Sequence, residues 1–238
     1  MKFNLINNHI VIPVSTSKGI KNAILDTGNP AFTIFKDDSI SEISFCGIDF
    51  KLQSNSLVNM FKRFTNWDDI SNLVKTEIQG IIGYDFFSNY NLLIDFKNLD
   101  ISIVDKIEDS NLSIIKIDLF MNIPILKLKI NDFELNAMFD TGAMHSVIHT
   151  KYSKHLKDKN ETFQEHNPFL GHFIGKLYEG DIVINNVLIK NCLIACAPEY
   201  DFAMQMLSGF NIEGILGIST LKDKIIYISY KEQRLGIL

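Results

Sequence analysis

The tripeptide Asp-Thr-Gly occurs twice, at 26–28 and at 140–142. The two aspartates are 114 residues apart (140 − 26), close to half of the 238-residue chain. Each copy follows an apolar run, Ala23-Ile24-Leu25 and Ala137-Met138-Phe139, that reads as a buried strand. A single Asp-Thr-Gly is adequately explained as a turn between strands, because Asp and Gly are common turn residues. Two copies with matched surroundings predict more. Each copy of a duplicated unit would deliver one carboxylate from the end of a strand, and the two carboxylates would pair across a pseudo-twofold axis.

The surroundings do repeat. Ile12-Pro13-Val14 and Asn22-Ala23 precede the first copy; Ile123-Pro124-Ile125 and Asn136-Ala137 precede the second. Apolar and polar residues alternate over 125–130, Asn131-Asp132 supplies turn chemistry, and 133–139 returns, which predicts a β-hairpin. In the first copy the turn falls near Ser17-Lys18-Gly19. Downstream, Gly80-Ile81-Ile82-Gly83 corresponds to Gly214-Ile215-Leu216-Gly217. A two-strand pattern follows each, over 91–96 and 100–104 in the first half and over 224–230 and 234–238 in the second.

This order of hairpin, Asp-Thr-Gly, variable middle, Gly-apolar-apolar-Gly, short helix and hairpin resembles the retropepsin-like lobe of the aspartic proteases. The likeness spans nearly the whole chain. It implies an all-β fold, mainly β with a few short helices: two pseudo-twofold-related retropepsin-like lobes, 1–106 and 107–238, in the acid-protease fold. It implies a hydrolase, an aspartic-type endopeptidase in which Asp26 and Asp140 share a water between the lobes. A metal or cofactor is not called for. Gly28 and Gly142 would let the backbone approach the carboxylates, and Thr27 and Thr141 would interlock across the interface. The residues after each Gly differ. Asn29 could hydrogen-bond the outer oxygen of its Asp and favour the charged form, or it could merely cap the turn; Ala143 can do neither. Asn29-Pro30 departs from the family's usual small residue. Viral retropepsins build their site from two identical chains. Both motifs lie on one chain here, so a monomer acting on a peptide or protein substrate is expected. Two other readings stay open: a peptide-binding module with an unproductive dyad, and an interaction domain whose lobes share no cleft.

The halves differ most between the two signatures. The family closes its cleft with a hairpin flap, and residues 167–178 combine aromatics with spaced glycines. Gly171 and Gly175 would permit a mobile turn, and Phe173 or Tyr178 would lie on a bound peptide. The plain alternative is an ordinary surface hairpin. In the first half, residues 44–50 read as a tight hairpin with little reach, 57–64 are mixed apolar and basic, and 68–73 read as a helix start. Pepsin-like enzymes carry the flap on the first lobe. Either the flap has changed sides here, or both lobes contribute. Trp67, the lone tryptophan, is expected in the core rather than at the cleft.

Composition narrows the partners. With a formal charge of −5 and scattered Lys and Arg, the chain has no electrostatic case for nucleic acid. No run reaches transmembrane length, and the N-terminal residues lack an apolar segment with a small-residue cleavage site. The expectation is a soluble, cytoplasmic protein without a membrane partner. Cys46, Cys192 and Cys196 read as free thiols rather than a disulfide framework, and no metal-ligand spacing surrounds them. His145 and His149 follow the second motif, but no Gly-x-Ser-x-Gly accompanies them, so a nucleophile triad is not the reading.

Overall fold

The computed structural model describes residues 1–107, 112–167, 171–206 and 211–238. The first half opens with β1 (Asn4–Ile6), β2 (His9–Thr16), β3 (Gly19–Leu25), β4 (Ile34–Phe35), β5 (Glu42–Phe45) and β6 (Ile48–Lys51). Two helices follow, α1 (Ser56–Phe64) and α2 (Trp67–Val74), then β7 (Gly80–Ile82), α3 (Tyr84–Phe87), β8 (Asn91–Asp95) and β9 (Asp100–Val104). The second half runs β10 (Ser113–Lys116), β11 (Asp118–Phe120), β12 (Ile123–Ile130), β13 (Phe133–Phe139) and β14 (Ser146–Ile148). It continues through a 3-10 turn (Thr150–His155), β15 (Lys157–Asn167), β16 (Gly171–Ile184), β17 (Val187–Cys196), α4 (Pro198–Met206) and β18 (Ile212–Leu216). A second 3-10 turn (Ile218–Thr220), β19 (Ile225–Ser229) and β20 (Arg234–Ile237) complete it.

The molecule is mostly β, in three sheets. Strands β1 to β7 form one, β11 to β18 another, and the third runs in the order β10-β20-β19-β8-β9. This third sheet interleaves the halves: β19 pairs antiparallel with β8, Ile226 opposite Ile94 and Ile228 opposite Leu92. In the second-half sheet an extra pairing of β12 with β16 curls the sheet back on itself.

The repeat read from the sequence is a repeat of topology. Hairpin β2–β3 turns at Ser17-Lys18, and β12–β13 turns at Asn131-Asp132. Strand β3 then runs parallel to β7, with Ala23, Ile24 and Leu25 opposite Gly80, Ile81 and Ile82. Strand β13 runs parallel to β18, with Ala137, Met138 and Phe139 opposite Gly214, Ile215 and Leu216. These apolar triplets face other strands and core on both sides, as parallel strands do. Ala23, Leu25 and Ile82, and Ala137, Phe139 and Leu216, belong to one continuous core shared by both halves. The two-strand patterns that follow form β8–β9 and β19–β20.

Each helix end has a local cause. Asn55 caps α1 by accepting from the Val58 N–H (3.0 Å), and Lys62 and Arg63 occupy its last turn. Asn66 caps α2, Asp68 and Asp69 sit in its first turn, and Lys75 ends it in a left-handed conformation. Trp67 packs half-buried in a satellite cluster with Val58, Val74 and Ile81, a core role as expected. Cys192 and Cys196 are buried and unpaired, and Cys46 is half-buried and free. No helix among the described residues is long and apolar enough to cross a membrane.

Candidate active site

Strands β3 and β13 end at Asp26 and Asp140, and the backbone fixes both in the same way. The Asp26 N–H donates to the Ile82 carbonyl and the Asp140 N–H to the Leu216 carbonyl, each at 3.1 Å. Beyond them the two threonines cross. The Thr27 hydroxyl donates to the Phe139 carbonyl (2.8 Å) and accepts from the Thr141 N–H (2.9 Å). The Thr141 hydroxyl donates to the Leu25 carbonyl (2.6 Å) and accepts from the Thr27 N–H (3.0 Å). Both threonines are buried, so these four bonds between the halves are shielded from water.

The glycines lie against the opposite carboxylate. A Cβ on Gly142 would stand 2.6 Å from Asp26 Oδ1, and one on Gly28 would run into the Asp140 carboxylate. The Gly142 N–H donates to Asp140 Oδ1 (2.7 Å). The two carboxyl groups hydrogen-bond each other. Burial, and then the Asp140 charge, lift the Asp26 carboxyl well above the usual carboxylate range. Burial raises Asp140 too, against the Gly142 N–H, the Asp26 side chain and the N–H groups of Ala143 and Gly28, which favour its charged form. Both carboxyls are therefore harder to ionise than an ordinary carboxylate, Asp26 the more so.

A cavity of about 460 Å³ opens over the pair. Phe32, Ile34, Phe61, Phe64 and Ile81 give its first-half side an apolar wall. Ala143, Glu165 and Tyr200 belong to the second-half side. The long hairpin β15–β16 carries Glu165 and lies against α2 of the first half. Hairpin β5–β6 turns in two residues, Cys46 and Gly47, both with positive φ (51° and 77°), and it stays short.

No protein-family profile matches this chain, and no curated protein sequence does. The solved structure of an aspartic proteinase from Irpex lacteus is similar in fold, with a TM-score of 0.55 over 98% of this chain and 94% of that one, at 11% identity. The fold is that of the aspartic proteases. At that identity the likeness concerns the fold alone.

Within the aspartic-protease fold, the sequence-derived site residues fall into two groups. Asp26, Thr27, Gly28, Asn29, Asp140, Thr141, Gly142 and Ala143 come together. The Asn29 side chain serves its own turn, accepting from the Ala31 N–H (3.0 Å) and donating to the Phe32 carbonyl (3.3 Å). Asn29 reaches the Asp26 carboxyl through its backbone N–H, so the capping alternative is the one realised. Gly171, Phe173, Gly175 and Tyr178 all lie in β16, and the hairpin end at 168–170 lies outside the described residues. Gly175 does not form a mobile turn: it sits in the ladder opposite Phe163, and a Cβ there would meet the Phe163 ring and, at 2.7 Å, the Cys196 carbonyl oxygen. Phe173 is buried with Phe163 and Tyr200, and Tyr178 packs on the main core. The hairpin presents Glu165 of β15 to the cavity instead.

Sequence reading missed four contributors. Phe61 and Phe64 ride on α1, whose cap at Asn55 was the available signal. Tyr230, at the end of β19, places its buried hydroxyl 3.5 Å from the Thr27 carbonyl beneath the dyad, and nothing in its local sequence marks it. Glu165 shares a strand face with buried Phe163, but Glu161 and Asn167 stand in the same alternation, so nothing in the local sequence marks it. His145 is buried against Phe163, and burial lowers it to about 4; His149 pairs with Asp201 at 3.3 Å, and neither lines the cavity.

Proposed function

We propose that the chain is an aspartic endopeptidase that hydrolyses peptide bonds with a water activated by Asp26 and Asp140. The observation that carries this is the pair of buried, mutually hydrogen-bonded carboxyls at the floor of an open cavity. The ionised partner, Asp140, takes a proton from the water as it attacks the scissile carbonyl. The protonated partner, Asp26, hydrogen-bonds the carbonyl oxygen and stabilises the charge that develops there. The tetrahedral intermediate collapses as the acquired proton passes to the leaving amine. A shared proton on a carboxyl pair is a general property of aspartic-protease dyads rather than a deduction for this chain. The buried threonine cross-links support the reading, because they fix the separation of the two carboxyls.

An extended peptide would lie along the cavity beneath hairpin β15–β16, the element with the reach to act as a flap. The assignment of two lobes at 1–106 and 107–238, working as a monomer, belongs to the same proposal; the intact dyad within one chain supports it. A cytoplasmic location is proposed with it, supported by three unpaired thiols.

The test is cleavage of an unfolded protein over a pH series, with and without a statine-type inhibitor. Inhibitor-sensitive cleavage that declines once the pH is high enough to strip the shared proton is the expected result. Inhibitor binding without any cleavage would reduce the protein to a peptide-binding module.

A further inference from the structure

We infer that Glu165 selects a basic side chain, Lys or Arg, in the part of the substrate that lies on the second-half wall of the cleft. The inference rests on the reading of the cavity as a peptide-binding cleft and adds a substrate class to it. Glu165 is 4% exposed and lines the cavity. Its Oε1 accepts from the Met144 N–H (3.1 Å), which ties the carboxyl to the loop just beyond Gly142. Its Oε2 is buried and has no hydrogen-bond partner among the described residues. A buried carboxylate oxygen left in that state is costly, and such exceptions mark places where a partner is to be supplied.

The surroundings favour a cation as that partner. Phe163 stands on the same face of β15, Phe173 lies opposite Glu165 in the ladder, and Ala143 and Tyr200 complete the wall. This lining suits the aliphatic stem of a long basic side chain. Asp140 lies close enough for its charge to act on Glu165, so a cation there gains from both carboxylates. Burial pushes the Glu165 carboxyl up to about 7, and an incoming ammonium or guanidinium would draw it into the charged form. The facing wall of Phe32, Ile34 and Phe61 offers no such partner and suits an apolar side chain.

Binding tests this independently of turnover. The probes are peptides with a non-cleavable hydroxyethylene centre, carrying lysine, Nε-acetyl-lysine or norleucine at each flanking position in turn. At one position, lysine should bind the wild-type protein about tenfold more tightly than either neutral analogue. In Glu165→Gln, which keeps an oxygen for the Met144 N–H, that ratio should fall to about one. The wild-type ratio alone decides the matter if the variant folds poorly. Equal binding of the three peptides, or a lysine preference that survives in Glu165→Gln, would overturn the inference and leave the endopeptidase reading standing. Acetyl-lysine binding as tightly as lysine would also overturn it, since a neutral donor would then suffice. Failure of every peptide to bind would overturn both.

Discussion

Thr27 and Thr141 show how much one side chain type can carry at this site. Each hydroxyl donates to a carbonyl of the other half and accepts an N–H of the other half. Thr27→Ala would leave the Thr141 N–H and the Phe139 carbonyl unpaired in a buried place. A loss of about 2 kcal/mol or more is expected from urea unfolding. Thr27→Ser keeps the hydroxyl and should restore most of it. Glu165 gives a pH signature. Its carboxyl rises from an ordinary 4.5 to about 7 in the fold, so its favourable contribution is complete below about pH 4.5 and is lost as the pH rises through about 7. Glu165→Gln removes that loss. Its stability relative to the wild type should therefore climb by about 3 kcal/mol between about pH 4 and pH 8, measured by thermal or urea unfolding. Buried His145 acts in the opposite sense, costing stability as the pH falls from 6.5 toward about 4, and it is common to both proteins. At this scale the motif residues were legible because Asp-Thr-Gly is local. Glu165 and Tyr230 were not, because their neighbours come from distant strands.

Hairpins β5–β6 and β15–β16 differ in how well the sequence announces them, and of the two it is β15–β16 that lines the cavity. The hairpin β5–β6 was readable as short, since Cys46-Gly47 adopts the tight two-residue turn that its length demands. Of β15–β16, the aromatics and glycines over 167–178 were readable, while the long first strand, Lys157–Asn167, was not, since its residues are mostly polar. Those glycines were misleading, because Gly175 makes room for the Phe163 ring rather than for motion. Gly175→Ala should therefore destabilise the protein by about 1–3 kcal/mol, seen as a lower unfolding midpoint, instead of altering flap opening. Helix α1 passed unassigned although its apolar and basic residues segregate to opposite faces, because nine residues are too few for the period to stand out. Phe64, at its C-terminal end, is 78% exposed yet lines the cavity. Phe64→Ala should change stability by less than about 0.5 kcal/mol while raising KM for peptides several-fold. A large fall in stability with unchanged KM would show that α1 is scaffold rather than substrate wall.

At the scale of the whole molecule, duplication was the most legible feature, since the spacing of the two motifs and of the glycine signatures follows from two copies of one topology. The sheet that joins the halves was legible only as two hairpins. That β8 and β19 pair with each other depends on contacts between residues more than a hundred positions apart. With that sheet and the threonine cross-links inside one chain, specific activity should stay constant on dilution to nanomolar enzyme. The central claim is that Asp26 and Asp140 form one site within each chain. Its most direct test is the cleavage of an unfolded protein by the wild type, Asp26→Asn, Asp140→Asn and an equimolar mixture of the two variants. The account predicts cleavage by the wild type alone, with both variants folded and at least as stable, and no activity recovered in the mixture. Activity in either single variant, or activity restored by mixing, would contradict it.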